Sequence, residues 1–505
     1  MPEPEVIPRN RWVVLSAALF GLFSVGFSIT VLAVASKTIA ADFGVSTNDI
    51  VWVITGPILL GAVITPAAGK VTDLFGARRV YLVAMSAVTV FAALTAMAWS
   101  APSLIVFRVL GAALGAATGP AAMSLINRLF ERHERSKALG WWAMVAAGAP
   151  VLGVVVGGPV VQYVSWRWIF IAQVPLSLIT VFVCARIFPE TPRKRVAFDV
   201  VGAVLLGLGS ASFVVALNRA PEPGWGWTHP VIVVLFAATP ILLVSFVFYE
   251  RNVEHQLIPL RYFKRRNFAF PLANQFFANF AYMGGFFLTP FLMQDVLGYD
   301  QSRTGLVSIA RPAAFTIAGP VAGWAATKVG ERANGVLGGL FLLGSMLCFS
   351  AAGAGVASTL VLGALILSGL GMGTTAPAMT AAAANSVEDE DLGVAGGAQQ
   401  MFGQLGVVVG TQIMFTIKEL GTSPDIAASI KAKVPLTQDQ VVSLAAAYSH
   451  GYLIGGIGAV LAVACAVGVQ SSVKRGKSVD PQSADDRRDA EAVDLYADAL
   501  SGPRS

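Results

Sequence analysis

Charge is scarce in this chain. Of its 505 residues only 13% are Asp, Glu, Lys or Arg and 55% are hydrophobic, where an ordinary soluble domain carries roughly 25% charged residues. So few charges cannot cover a soluble globule of this length, and the chain reads as a membrane protein. Histidine is rarer still: His133, His229, His255 and His450 are scattered over polar stretches without ligand spacing, so no metal site is expected. Cys184, Cys348 and Cys465 fall in apolar stretches and read as small buried hydrophobes. The phosphate-cradling pattern G-x-x-x-x-G-K-[ST] is absent, which argues against a self-contained ATP-driven pump. No cluster of His, Ser or acids marks an enzyme. No cofactor and no nucleic-acid partner are expected.

What is present is apolar length. A hydrocarbon core of about 30 Å calls for about 20 apolar residues per helix, and fourteen such stretches run from 12–36 to 449–471, among them 51–69, 103–127, 138–161, 304–327 and 393–417. Arg9 and Arg11 lead straight into the first, so no signal peptide is expected. With both termini placed inside, 26 of the 35 Lys and Arg fall in loops and tails on that side and 7 on the other. Cytoplasmic loops carry such an excess, so both termini are expected in the cytoplasm. The segment 419–448, containing "AASIKAKVPL", is expected to lie amphipathically on the membrane. The tail 472–505 is poor in aromatics and expected to be disordered.

The chain also repeats itself. "GKVTDLFGARR" at 69–79 is echoed by "GWAATKVGERA" at 323–333, with Gly69 and Gly76 falling on Gly323 and Gly330, and "LGVVVG" occurs at both 152–157 and 405–410. This predicts two six-helix units, 12–188 and 268–471, separated by 189–267, where basic connectors flank two extra helices. In the 69–79 loop Gly69 and Gly76 permit close helix approach and a sharp turn. Asp73 is an anion suited to the positive N-terminal end of another helix, with Arg78 and Arg79 as expected ion partners. Thr327 stands where the first copy has Asp73, so the expected latch is one-sided. A plain basic loop that fixes topology is the other reading.

Six plus two plus six helices, with "GKVTDLFGARR" after the second, resembles the major facilitator superfamily, specifically its fourteen-helix drug/proton antiporters of the EmrB/QacA type. "VSWRWIFIAQVP" (164–175) and "FLMQDVLGYDQSRTGL" (291–306) fit the same pattern, and the resemblance covers 12–471. It implies an all-α integral membrane fold of two pseudo-repeated halves, alternating access about a midplane site, and a cytoplasmic gate formed by Gly69, Asp73, Gly76, Arg78 and Arg79. "GAPVLGVVVGGP" (148–159) resembles the family's antiporter motif on helix five through Pro150, Gly153, Gly157, Gly158 and Pro159, with Val154 in place of a usual proline. Simple glycine packing is the alternative.

Two arginines lie inside apolar stretches. A charge at the bilayer centre costs about 2.5–3.5 kcal/mol on insertion scales and is seldom kept without a partner or a function. Arg108, in "FRVLGAALGAATGP", resembles a family arginine followed by Gln-Gly, although Gly111 and Ala112 stand there; Pro120 fits. Arg311, in "SIARPAAF", either joins Arg108 in a cationic cavity or snorkels outward. Where the family carries an acid, Asn and Pro on helix one, this chain has Ser28, Ala33 and Lys37, and Asp42, Glu250 and Asp295 fall near span ends or in loops. The substrate expected is therefore a lipophilic anion or a neutral lipophile. Asn274, Gln275, Asn279, Gln400 and Gln404 are candidate substrate contacts, or equally helix bridges. The expectation is a monomeric secondary exporter of drugs or natural products in a bacterial cytoplasmic membrane, with protons as coupling ion. A lipid or acyl-chain translocator of the same fold is the alternative.

Overall fold

The computed structural model describes residues 11–470, apart from 46, 192–198, 221–223, 254–255, 353–357, 432–433 and 435. The readings for residues 1–10, for the tail 472–505 and for most of the basic run 190–195 lie outside the described residues, as do the side chains of Ala33, Lys37, Pro150 and Pro159.

Among the described residues all regular structure is helical. In chain order the helices are α1 (Arg11–Phe43), α2 (Thr47–Phe75), α3 (Ala77–Ala96), α4 (Ala101–Gly115), α5 (Thr118–Leu129), α6 (Arg135–Tyr163), α7 (Arg167–Ile187), α8 (Val200–Arg219) and α9 (Pro230–Asn252). They continue with α10 (Arg266–Asp295), α11 (Gln301–Ser308), α12 (Ala310–Val329), α13 (Glu331–Ser350), α14 (Ser358–Ala384), α15 (Leu392–Leu420), α16 (Pro424–Lys431) and α17 (Gln438–Gly468). Twelve spans among the described residues are long and apolar enough to cross a membrane.

Two expected spans each carry a break in the helix while remaining single candidate spans. The stretch 103–127 becomes α4 and α5, because Pro120 has no N–H to give the carbonyl of Ala116; the Thr118 hydroxyl donates instead to the Gly115 carbonyl at 2.8 Å. Pro312 has the same effect on 304–327, which divides into α11 and α12 at Ile309. The last span begins at Gln438 rather than 449. Its start is set by a capping box, in which Thr437 and Gln440 satisfy each other's backbone N–H. Parts of the segment 419–448 thus pack on the bundle. Ile426 of α16 and Leu444 of α17 are buried in the same core as Met414 and Tyr448, and the Tyr448 hydroxyl donates to Asp295 at 2.6 Å.

One large core joins α10, α13, α14 and α17, and another joins α1, α3, α5 and α7. The helices α8 and α9 pack on each other, and α8 also packs against α2 and α15. Membrane helices associate through close fit and small residues rather than through a hydrophobic drive, and the repeated "LGVVVG" supplies such a surface. In the second copy Gly406 and Gly410 of α15 press onto the carbonyls of Phe276 and Phe280 on α10, leaving no room for a Cβ. In the first copy the same stretch belongs to α6, which packs on α1. Gly410→Leu is expected to cost about 1–3 kcal/mol through overpacking, read as a lower thermal midpoint, whereas Gly363→Leu, at a position with open space around it, should leave the midpoint unchanged.

Candidate functional site

The loop 69–79 lies at the end of the bundle where basic residues gather, here called the basic end. Asp73 is 3% exposed and sits at the last turn of α2, against the first turn of α15. The Gly393 N–H donates to Asp73 Oδ1 and the Val394 N–H to Asp73 Oδ2, both at 2.9 Å. These donors are free because α15 begins at Leu392, and first-turn N–H groups have no acceptor within their own helix. The positive end of the helix dipole adds to the attraction. One turn back, a Cβ at Gly69 would lie 2.5 Å from the Gly393 carbonyl oxygen, and a Cβ at Gly393 would lie 2.5 Å from that of Gly69. The two backbones touch.

A matching contact joins α6 to α12. A Cβ at Gly319 would lie 2.8 Å from the Gly140 carbonyl, and Gly323 presses on the carbonyl of Ser136. The repeat offset of 253 residues pairs Gly393 and Val394 with Gly140 and Trp141. Since α6 already starts at Arg135, those N–H groups lie beyond its first turn and are spent on intrahelical bonds. No carboxylate is called for, and the Thr327 hydroxyl donates to the Trp324 carbonyl at 2.7 Å. Arg135 makes the crossing instead. It is 4% exposed, gives Nε to the Asn127 carbonyl at 2.7 Å and Nη1 to Asn385 Oδ1 at 3.0 Å, and pairs with Asp389 at 3.4 Å. Burial lowers its pKa, partly offset by Asp389. Gly76 and Gly330 both adopt φ 87°, the left-handed region that glycine enters freely, and each opens the next helix.

Arg78 and Arg79 do not pair with Asp73. Arg78 binds Glu190 and the Ala185 carbonyl, tying α3 to the end of α7, while Arg79 is exposed. The first turn of α3 faces α7 rather than α15, which is why the expected pairing fails; the guanidinium whose charge acts on Asp73 is that of Arg128. Tyr262, in a 3-10 turn at Leu260–Lys264, donates to buried Asp391 at 2.6 Å. Burial, reinforced by that carboxylate, pushes the Tyr262 hydroxyl up to about 12. At the other end of the bundle Asp42 accepts from Arg167 at 2.6 Å and from Trp166 at 3.1 Å, and these two bonds lower its pKa.

The five polar candidates divide. Asn274 is fully buried, donating to the Ala462 carbonyl at 2.7 Å and accepting from Thr375 at 3.1 Å, so it bridges α10, α14 and α17. Asn279 donates to the Gln275 carbonyl at 2.8 Å, beside Gly403 of α15. Gln400 and Gln404 extend from α15 toward α5 and α2, against Gly119 and Gly61 respectively. Gln275 Oε1 and Gln404 Oε1 are buried without a hydrogen-bond partner. An apolar groove of about 600 Å³, lined by Leu60, Val63, Val109, Gly207 and Val214, opens between α2, α4 and α8.

The two arginines occupy different surroundings. Arg108 is half-buried on α4 with its guanidinium 5.4 Å from the Phe170 ring centre on α7. Arg311 is 1% exposed, held by Thr289 Oγ1 at 3.3 Å and the Tyr282 carbonyl at 3.5 Å and flanked by the rings of Tyr282, Phe286 and Phe349. It therefore neither snorkels outward nor lines an open cavity with Arg108. In the helix-five motif Gly153 is buried within α6. The sequence reading missed Arg135, whose loop position hid its burial, and it missed the joining of Asp199 to Glu250, which requires the pairing of α8 with α9. Asp73→Ala strips the acceptor from two buried donors and is expected to speed hydrogen exchange at the Gly393 and Val394 amides by about tenfold or more, the equivalent of about 1.5–3 kcal/mol for one bond to a charged group.

Comparison with known proteins fits this geometry. The family model described as Major Facilitator Superfamily matches residues 18–411. The chain is 28% identical over 406 residues to the multidrug transporter protein MdtP of Bacillus subtilis, covering 80% of this chain and 75% of that one. It is 29% identical over 413 residues to the tetracenomycin C resistance and export protein of Streptomyces glaucescens, covering 80% and 76%. Among solved structures, a double-tryptophan mutant of XylE superposes with a TM-score of 0.63 at 14% identity, covering 92% of this chain and 97% of that one. The human organic anion transporter MFSD10 superposes with a TM-score of 0.59 at 15% identity, covering 89% and 99%. A helical bundle joined at one end by a buried aspartate and facing glycines, and matched by the family model over most of its length, is a multi-pass membrane transporter of the Major Facilitator Superfamily.

Proposed function

We propose that this chain is a secondary active exporter of lipophilic small molecules, drugs or natural products, driven by the proton motive force. The observation that carries this reading is the joined basic end. Asp73 with Gly393 and Val394, and Gly140 with Gly319 and Gly323, hold α2 to α15 and α6 to α12, while farther along α15 Gln404 keeps a buried oxygen unpaired. A transporter closed at one end with polar groups waiting in its middle works by alternating access. The excess of Lys and Arg makes the basic end the cytoplasmic one, with both termini there. The latch residues Gly69, Asp73 and Gly76 then act as the cytoplasmic gate, and Arg78 supports it by fixing α3 to α7. With α2 and α6, each 29 residues long, the spans number fourteen, six on either side of the α8–α9 pair, in a protein that works as a monomer.

The relatives named for multidrug transport and for tetracenomycin C export support drugs or natural products as cargo. The apolar groove beside α2 suits a lipophile arriving from the bilayer. Among the described residues no Asp or Glu accompanies Gln275, Gln400 and Gln404, while Arg108 lies part-buried on α4, the helix that precedes the α5 surface facing Gln400, so an anion or a neutral molecule is the expected cargo. Inside-out vesicles given matched anionic and cationic fluorescent amphiphiles test this directly. Gradient-dependent uptake of the anion is expected, falling about tenfold in Arg108→Ala, which corresponds to about 1.4 kcal/mol. Gradient-dependent uptake of the cation alone would overturn the substrate class, and movement of labelled lipid without either amphiphile would favour the lipid translocator.

A further inference from the structure

Two carboxyl groups meet where α8 and α9 close at the basic end. Asp199 is 6% exposed and Glu250 is fully buried. Each spends one oxygen on a backbone donor: Asp199 Oδ1 caps α8 through the Gly202 N–H at 2.8 Å, and Glu250 Oε1 accepts the Ile258 N–H at 2.9 Å. The remaining oxygens, Asp199 Oδ2 and Glu250 Oε2, are buried and receive no donor. They lie close to each other, since a Cβ on Gly202 would collide with the first and lie 3.0 Å from the second. Two like charges so close in a low-dielectric setting cannot both persist, and one proton placed between the two oxygens would remove one charge and satisfy both acceptors.

Among the described residues no basic side chain forms an ion pair with either acid. From α9 the nearby hydroxyl is that of Tyr249. From α15 the neighbours are Val394 and Met401, packed with Leu206, Phe246, Leu257 and Ile258. From α2 comes Lys70, whose ammonium donates to the Gln256 carbonyl rather than to either acid, and Gln256 in turn donates to the Glu250 carbonyl at 2.7 Å. The turn that closes on Glu250 thus touches both sides of the latch. Lys70 is one residue from Gly69, and Val394 supplies an N–H to Asp73.

We propose that Asp199 and Glu250 form a proton-binding site that holds one shared proton, and that this proton keeps Gln256, Leu257 and Ile258 packed against Lys70 and Val394 and so favours the closed cytoplasmic gate. Loss of the proton leaves two facing buried carboxylates, which repel, loosen the turn and release the gate. The regulatory half rests on the gate reading above; the proton site does not.

The test uses full-length protein in nanodiscs. Infrared difference spectra across a pH titration of wild type, Glu250→Gln, Asp199→Asn and the double variant are expected to show one protonated-carboxyl band in the wild type that titrates as a single proton and is missing from all three variants. Identical spectra in all four proteins would overturn the site. In parallel, spin labels at the exposed positions Phe75 and Ala333 report the basic end. Their separation should lengthen with rising pH in the wild type and stay short in Glu250→Gln, whose amide supplies a permanent donor. A titrating band without any pH-dependent separation would overturn the coupling to the gate. A titrating band in a protein that exports no compound would refute the exporter reading and leave the proton site standing.

Discussion

The first turn of α15 decides how the bundle closes. A helix that starts at Leu392 presents N–H groups that its own backbone cannot use, and burying them without acceptors would cost about 1–3 kcal/mol apiece. Asp73 supplies both acceptors with one side chain, and it reaches them because Gly69 and Gly393 let the helices meet backbone to backbone. When the contact opens, water replaces the carboxylate, so the net worth is only about 1.5–3 kcal/mol per charge-assisted bond. That magnitude suits the gate proposed above. It shifts the closed-to-open ratio by tenfold or more per bond, yet it leaves opening within reach of substrate or ion binding.

Glycine is the material that makes the rest possible. Between lipid-embedded helices no hydrophobic gain is available, so stability comes from contact, and the largest gain is where carbonyls and Cα atoms meet with no side chain between. The pairs Gly69 with Gly393, Gly140 with Gly319 and Gly406 with Phe276 repeat this device across the bundle. The same closeness explains why polar residues inside these helices are mostly spent locally, as in Asn274 bridging three helices or Thr316 returning to the Pro312 carbonyl at 2.8 Å. The buried oxygens of Gln275 and Gln404 are among the polar atoms that no such local bond uses.

Some of this was legible in the residues. Matching Gly69 and Gly76 to Gly323 and Gly330 located the paired loops, and Gly76 and Gly330 do share one backbone conformation. The mismatch of Asp73 with Thr327 was visible too, but its reason was not, because the start of a helix is poorly marked in an apolar sequence: α15 opens at Leu392 and α6 at Arg135, a difference of more than one turn once the repeat is aligned. Direction was the other thing the sequence withheld. Arg78 lies five residues after Asp73 but on a helix facing α7, and Arg311 points into a core of aromatic rings instead of toward Arg108. Proline effects were readable in principle. Pro120 and Pro312 both interrupt spans that hydropathy alone runs together.

Long-range pairing of charges is what no linear reading supplies. Asp199 stands beside a basic run and Glu250 near a helix end, and each alone looks like a solvated residue; only the packing of α8 on α9 buries them together. The central claim, that the Asp73 contact is the cytoplasmic gate, is tested most directly by determining the structure of Asp73→Ala beside the wild type in nanodiscs. The account predicts α2 parted from α15 at the basic end with the other end closed, in a variant that has lost transport. A variant still closed at the basic end, with Gly69 against Gly393 and transport intact, would contradict it.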